Sequence, residues 1–269
     1  MYYYDLHCHS IKSMDSINKI KSIVESAKKR GLTGVAITDH DDVFNGKNEV
    51  DGITLIPGSE ITLKGGGHLL AYFINKPLKE GEYTLKEAVR KVKDQAGFTN
   101  LAHPFRTGEG WFNIKERTKK EIKEMVQLVD MIEVANAKDT PKERRKAEKV
   151  FKRHSNLIPV GGSDAHAPFV VGSTAVKTKE AITKENFLDQ LRKGEIVLKE
   201  NKLRGQKGGA YFRSILIKMV KNAGLYRNKK ARLIFSKVFF RNVLRIKNFI
   251  AREIKPRYED IDVKTIKEK

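Results

Sequence analysis

Two kinds of hydrophobic pattern alternate along the first 198 residues. Short apolar runs, typical of buried strands, are separated by stretches in which apolar residues recur every three or four positions, as on one face of a helix. The predicted strands are residues 2–7, 34–38, 54–57, 68–74, 98–102, 131–134 and 157–160. The predicted helices include residues 17–30, 85–96, 119–128 and 142–154. This repetition predicts a barrel-like α/β domain, in which the loops after the strands carry the chemistry.

The pattern changes after residue 201. Residues 202–209 form a linker rich in Gly and Lys, and two amphipathic helical patterns follow it without a further strand. From Lys199 onward 21 Lys and Arg stand against 6 Asp and Glu, so this segment contributes +15 of the net charge of +21. We therefore predict a domain over residues 1–200 and a basic helical extension over residues 201–269.

The charge of the extension favours a polyanionic partner. It can contact RNA or DNA, or lie on an anionic membrane surface. Alternatively, its apolar stripes dock on the barrel and its charges face solvent.

The chain shows no export or membrane signal. No stretch approaches 18 consecutive apolar residues, and residues 1–5 lack the basic and then apolar order of a secretory signal. Cys8 has no second cysteine with which to form an internal disulfide. We expect a cytoplasmic protein in which Cys8, on the strand face opposite His7 and His9, has a packing role.

Histidines and carboxylates follow five separate predicted strands. His7 and His9 alternate on one strand and therefore project to the same side. The other four groups are Thr38-Asp39-His40, Gly58-Ser59-Glu60, Ala102-His103-Pro104 and Ser163-Asp164-Ala165-His166. Side chains at these strand ends converge at one rim of a barrel, where a cluster of metal ions can form. Of the two other histidines, His68 opens the predicted strand over residues 68–74, and His154 belongs to a predicted helix, where we expect it to be solvated.

The order and spacing of these groups resemble those of the PHP (polymerase and histidinol phosphatase) superfamily. Its motifs are present here as DLHCHS, ITDHD, GSEI, AHPFR and GGSDAH, at residues 5–10, 37–41, 58–61, 102–106 and 161–166. The resemblance implies an α/β fold, a distorted (β/α)7 barrel, with two or three divalent metal ions.

The resemblance also implies a set of ligands for each ion. One ion is expected at His7, His9 and Asp164, and Glu60 bridges to a second ion. The second ion also takes His68 and His103. A third ion takes Asp15, His40 and His166. Mn is the preferred metal in this interpretation, and Zn or Fe also suits the mixed ligands.

The expected reaction is hydrolysis of a phosphate ester. Divalent ions make hydroxide available near neutral pH and hold phosphate oxygens for attack. In similar family members an arginine at the position of Arg106 contacts the phosphate. Arg106, Asp164 and His166 are thus the candidate catalytic residues.

Several polar neighbours are expected to have supporting roles. Asp5 and Asp39 are candidates for hydrogen bonds to the ring N–H groups of the histidines, or they are ordinary strand-end residues. Glu133 and Asn136 follow another strand and are expected to line the pocket without binding metal.

Three functions remain open from the sequence. The first is a small stand-alone phosphoesterase acting on nucleotides or on the 5′ end of short nucleic acids. The second is a small-molecule phosphomonoesterase like histidinol phosphatase. The third is a nucleic-acid-binding module with an accessory metal site. A complete ligand set for an open cluster argues against the third, because a structural ion needs no such cluster.

Overall fold

The computed structural model describes residues 1–114, 118–154 and 156–198. The strands are β1 (Tyr2–Cys8), β2 (Gly34–Ile37), β3 (Glu49–Val50), β4 (Ile53–Thr62), β5 (His68–Tyr72), β6 (Phe98–Leu101), β7 (Met131–Asn136), β8 (Ile158–Gly162), β9 (Thr174–Thr178) and β10 (Glu195–Leu198). The helices are α1 (Ile20–Lys29), α2 (Leu85–Lys93), α3 (Trp111–Ile114), α4 (Lys119–Leu128), α5 (Pro141–Lys152) and α6 (Phe187–Arg192). The predicted extension, residues 201–269, lies outside the described residues.

The strands form a mixed sheet in the order β10-β9-β1-β2-β4-β5-β6-β7-β8, and β3 pairs with β4. The sheet curls so that β8 returns to β1. Just beyond β8, Ala165 bridges Cys8 in parallel, and the Ala165 carbonyl accepts a hydrogen bond of 3.0 Å from the His9 N–H. The predicted α/β barrel of seven strands is thereby confirmed, with β9 and β10 added beside β1.

The barrel is not uniformly parallel, contrary to the repeated strand and helix units that the pattern suggested. Strand β4 is longer than predicted: its first half pairs in parallel with β2, and its second half pairs antiparallel with β5. Strand β5 follows after a short turn at Gly65-Gly66-Gly67, where all three glycines have positive φ. These backbone angles favour glycine and reverse the chain too tightly for a crossover helix.

Three of the helices begin with the same local signal. Thr84, Thr118 and Thr140 are the N-caps of α2, α4 and α5, and a glutamate three residues later completes a capping box in each. The threonine side chain accepts from a backbone N–H that the first helical turn leaves unpaired, and the glutamate accepts from the N-cap N–H. The helix starts are thus encoded locally.

Two apolar layers enclose the barrel wall. One cluster inside the barrel joins residues such as Leu6, Ala36, Leu70 and Ala102. A second cluster joins Cys8 to the buried face of α1. The packing role predicted for Cys8 agrees with this position, and burial raises the pKa of its thiol well above the usual value.

Within the part of the chain that the structure describes, no helix has the length and apolar character needed to cross a membrane.

Candidate metal centre

The end of β1 supplies two buried imidazoles. His7 and His9 are fully buried, and their Nε2 atoms lie 3.1 Å apart. The outer nitrogen of each ring faces an acceptor: His7 Nδ1 is 3.2 Å from Glu133 Oε1, and His9 Nδ1 is 3.0 Å from Ser13 Oγ. A proton on each Nδ1 leaves a lone pair on each Nε2, which is the arrangement of a metal ligand.

Glu60 lies among five of the histidines, one of which is His40, with Nδ1 3.4 Å from Glu60 Oε2. Its Oε2 atom is 3.2 Å from His7 Nε2 and 3.1 Å from His9 Nε2. Its Oε1 atom is 2.9 Å from His103 Nε2 and 3.5 Å from His68 Nδ1. Glu60 lies within β4 rather than beyond the end of a strand, because β4 continues to Thr62.

His68 reaches the same rim because of the direction of β5. It is the first residue of β5 and pairs with Thr62 at the end of the antiparallel β4. In a parallel strand the first residue would lie at the opposite rim of the barrel. The reversal of β5 therefore brings the His68 imidazole to Glu60.

A third group of candidate ligands borders the first. His166 Nε2 is 2.9 Å from Asp15 Oδ2, and His40 Nε2 is 3.8 Å from the same oxygen. The ring nitrogens of His9, His40 and His166 are also close enough together to hold one ion. Asp15 and His40 are partly exposed, with side chains 32% and 28% accessible, so this part of the centre faces solvent.

Asp164 connects the metal ligands to two cations. Its Oδ1 atom is 3.4 Å from His9 Nε2 and accepts from Lys138 Nζ at 3.0 Å. Its Oδ2 atom accepts from Arg106 at 2.6 Å. The pKa of Asp164 is held well below its usual value: burial opposes this, but Lys138, His7 and Arg106 favour the charged form.

Backbone strain accompanies the ligands. His103 and Asp164 have φ of 24° and 50°, in the region that few residues other than glycine adopt. The N–H of Asp164 donates to the His7 carbonyl at 2.7 Å, which holds the strained turn against β1. Gly162 makes this approach possible, because a Cβ atom there would lie 2.3 Å from His7 Cβ.

The electrostatics of the centre suit divalent cations. Glu60 has a pKa well below its usual value: burial opposes this, but His7, His68 and His40 outweigh it. Burial would lower the pKa of His40, but Glu60 and Asp15 raise it to about 9. The pKa of His7 is likewise raised, against burial, by Glu60, Asp164 and Glu133. These imidazoles therefore bind protons that a divalent cation would displace.

Unsatisfied polar atoms support the same conclusion. Within the described residues, His68 Nδ1 and Asp15 Oδ1 are buried and have no hydrogen-bond partner. Such atoms normally find a partner. The ligand atoms also form compact groups of three, among them His7, His9 and Glu60 together with Glu60, His68 and His103. The residues present therefore fit a cluster of metal ions.

All nine residues predicted as metal ligands lie in this centre, and His154 does not contact it within the described residues. Arg106 lies at its edge with a side chain that is 11% exposed. Its Nε donates to Asp139 Oδ1 at 2.9 Å and its Nη1 donates to Glu109 Oε2 at 3.1 Å, so with Asp164 three carboxylates contact the guanidinium. Burial raises the pKa of Asp139 to about 6 although Arg106 opposes the shift.

Of the two alternatives for Asp5 and Asp39, direct hydrogen bonds from histidine rings are wrong within the described residues. Asp5 accepts from the N–H and O–H of Ser163 and from the Gly172 N–H, and thus stabilises backbone. Asp39 acts through another residue, because it accepts from Ser13 Oγ at 2.7 Å, and Ser13 in turn faces His9. The loops that follow β1 and β2 thereby support His9 through Ser13 and Asp39, an arrangement that residue spacing does not predict.

Other supporting residues were underestimated or missed. Glu133, predicted only to line the pocket, contacts His7 and also accepts from the His103 N–H at 2.7 Å. Asn136 donates to Glu133 at 3.0 Å. Lys138 and Asp139 were not predicted. Their polarity just after β7, at the rim that carries the ligands, is the signal that could have identified them.

Comparison with known proteins places the chain in a family. The model of the PHP domain matches residues 5–159, and a model described as PHP-associated matches residues 141–196. The chain belongs to the PHP domain family.

Similar sequences occur in Methanocaldococcus jannaschii and Symbiobacterium thermophilum. The uncharacterized protein MJ0417 of Methanocaldococcus jannaschii is 26% identical over 81% of this chain and 96% of its own length. The uncharacterized protein MJ1587 of the same organism is 32% identical over 38% of this chain and 67% of its own length. An error-prone DNA polymerase of Symbiobacterium thermophilum is 36% identical over 26% of this chain and 7% of its own length.

Solved structures share the fold. PsfC from Pseudomonas syringae has a TM-score of 0.60 at 17% identity, covering 83% of this chain and 98% of its own. A two-domain protein from Bacteroides vulgatus with a PHP-like domain has a TM-score of 0.56 at 24% identity, covering 74% of this chain and 65% of its own. The endonuclease PfuEndoQ from Pyrococcus furiosus has a TM-score of 0.55 at 19% identity, covering 72% and 57%.

Proposed function

We propose that this protein is a metal-dependent phosphoesterase. The observation that carries the proposal is the position of Glu60, whose two carboxylate oxygens lie among the ring nitrogens of His7, His9, His68 and His103. One carboxylate shared by two pairs of imidazoles suits two neighbouring divalent ions. A structural ion would be closed off by four ligands, and this cluster offers more than that.

We propose the ligand sets that the family motifs imply. His7, His9 and Asp164 would hold one ion, and His68 and His103 another, with Glu60 common to both. Asp15, His40 and His166 would hold a third. Bound ions of this kind lower the pKa of water and hold phosphate oxygens for in-line attack. We propose Mn as the metal, with Zn or Fe also compatible with the donors.

The surrounding residues orient the ligands and the substrate. Glu133 and Ser13 hold the protons of His7 and His9 on the outer ring nitrogens, which directs their lone pairs toward Glu60. Asp139 anchors the Nε edge of Arg106, and Nη2, which has no hydrogen-bond partner among the described residues, is available for a phosphate oxygen. If Asp164 held an ion, its hydrogen bond to Arg106 Nη1 would weaken, and a phosphate oxygen would replace that carboxylate as the acceptor.

The substrate that we favour is a nucleotide or the 5′ end of a short nucleic acid. The charge of +15 from Lys199 onward supports this choice, because lysine and arginine attract phosphate backbones. The similarity to part of a DNA polymerase also supports it. A small phosphomonoester such as histidinol phosphate would not use this charge.

The test is phosphate release after metal has been removed with a chelator and Mn or Zn added back. The substrates are nucleoside monophosphates and bisphosphates, 5′-phosphorylated oligonucleotides and histidinol phosphate. We expect metal-dependent turnover of the nucleic-acid substrates, falling more steeply with added salt for oligonucleotides than for mononucleotides. Turnover of histidinol phosphate alone would overturn the substrate class.

Two variants test the metal centre directly. His103→Ala removes one ligand, and we expect loss of hydrolysis with the fold retained. His154→Ala is the matched control, because His154 is the histidine outside the centre, and its activity should equal that of the wild type. Metal-independent turnover, or full activity of His103→Ala, would contradict the proposed mechanism.

A further inference from the structure

Lys138 lies between two of the proposed ion sites. Its Nζ atom is 3.0 Å from Asp164 Oδ1 and 3.0 Å from His166 Nδ1. Asp164 belongs to the ligand set around Glu60, whereas His166 belongs to the set with Asp15 and His40. The Lys138 side chain is 33% exposed, so its cation sits at the entrance of the centre.

The two neighbours of His166 Nδ1 differ in whether they require a proton on that atom. The Asp164 carbonyl, 3.0 Å away, can only accept a hydrogen bond, and the Lys138 ammonium can only donate one. When Lys138 donates, Nδ1 carries the lone pair and the ring proton lies on Nε2, which faces Asp15 Oδ2 at 2.9 Å. In this tautomer Nε2 has no lone pair for a metal ion.

His7 and His9 show the opposite arrangement. The outer nitrogen of His7 faces a carboxylate. The outer nitrogen of His9 faces Ser13 Oγ, whose own proton is donated to Asp39. Both rings can therefore hold their protons on Nδ1 and direct lone pairs at Glu60. The imidazoles of His7 and His9 are thus oriented for metal, whereas metal binding by the imidazole of His166 is opposed by Lys138.

We propose that Lys138 sets the number of metal ions in the centre, by competing with the ion at Asp15, His40 and His166. Two effects of Lys138 act in the same direction. Its hydrogen bond stabilises the His166 tautomer that does not bind metal, and its positive charge repels a third cation nearby. The wild-type protein therefore binds two ions tightly and a third weakly. This inference rests on the proposed function only in treating the centre as a metal site.

The test measures metal binding to the full-length protein. After treatment with a chelator, each variant is titrated with Mn²⁺ in equilibrium dialysis, and bound metal is counted by mass spectrometry. Lys138→Met removes the charge and the donor with little change in length, and Lys138→Arg keeps both. Lys177→Met is the matched control, since Lys177 is similarly exposed at 28% and pairs with Glu195, away from the centre.

We expect Lys138→Met to lower the third dissociation constant by about tenfold or more, the usual scale for residues that contact metal ligands. The ion at Glu60, His68 and His103, none of which contacts Lys138 in the described residues, should bind as in the wild type, which also shows that the variant is folded. Lys138→Arg and Lys177→Met should behave like the wild type. An unchanged third constant in Lys138→Met, or three equally tight ions in the wild type, would overturn the inference.

These results are independent of the reaction. Absence of phosphate release from any substrate, together with the expected change in metal binding, would leave the role of Lys138 standing and reject the phosphoesterase. Phosphate release by a wild-type protein with three equally tight ions would support the phosphoesterase and reject the role of Lys138.

Discussion

Glu133 offers a sharp test of how the centre is organised, because it binds no ion in our interpretation and yet contacts two of the ligand residues. Its carboxylate accepts from His7 Nδ1 at 3.2 Å, from the His103 N–H at 2.7 Å and from Asn136 at 3.0 Å. It is 1% exposed. Glu133→Gln preserves the shape of the side chain and replaces one oxygen by an N–H₂ group.

The glutamine amide cannot accept hydrogen bonds from both His7 Nδ1 and the His103 N–H. If its oxygen accepts from the His103 N–H, its N–H₂ group faces His7 Nδ1 and favours the tautomer with a proton on Nε2. If the amide is rotated so that its oxygen faces His7 Nδ1, its N–H₂ group faces the buried His103 N–H, and two donors meet. Either way one hydrogen bond to a charged group is lost, which costs about 1.5–3 kcal/mol. Since about 1.4 kcal/mol corresponds to a factor of ten, we expect metal affinity to fall by about 10- to 100-fold.

The assay is competition for Mn²⁺ between the protein and a fluorescent chelator, with circular dichroism to establish that the variant is folded. The control is Glu124→Gln, whose carboxylate is 60% exposed and lies 3.9 Å from Lys120 Nζ. It should bind metal as the wild type does. A folded Glu133→Gln protein with an affinity within threefold of the wild type would refute the argument that Glu133 fixes the His7 tautomer.

Three further predictions concern packing, metal and substrate. Gly162→Ala should lower the free energy of unfolding in urea by about 1–3 kcal/mol, because its Cβ would lie 2.3 Å from His7 Cβ; an unchanged midpoint would contradict this packing. Mn²⁺ at 100 times its dissociation constant should raise the free energy of unfolding by about 2.7 kcal/mol and raise Tm by about 5–10 °C. At pH 8 it should also release protons measurable in a pH-stat, since His40 has a pKa of about 9. Arg106→Lys keeps the charge but loses the planar fork, so KM should rise by about tenfold with metal affinity retained; an unchanged KM would exclude Arg106 from the phosphate contact.

Much of the centre was predictable because the ligands are encoded locally. Alternation along a strand places His7 and His9 on one side, and the apolar runs before His40, His103 and Asp164 mark strand ends that meet at one rim. Such patterns depend on backbone geometry over a few residues. They predicted the seven strands of the barrel, and the motifs indicated the family.

Other features depend on contacts between distant parts of the chain. The hydrophobic pattern predicts that residues 68–72 form a strand but does not predict the direction of that strand. The antiparallel pairing of β5 is what brings His68 to Glu60. Strands β9 and β10 were not predicted, because their pairing with β1 and with each other lies far away in sequence.

The sequence by itself determined which residue types are available and which of them follow strands, because alternation and helix caps act over a few positions. The tertiary structure alone decided which nitrogen of each imidazole faces the centre. His7 meets Glu133 across 126 positions, and His166 meets Lys138 across 28. A hydrogen bond depends on distance and direction in space, and these partners are brought together only when the barrel closes.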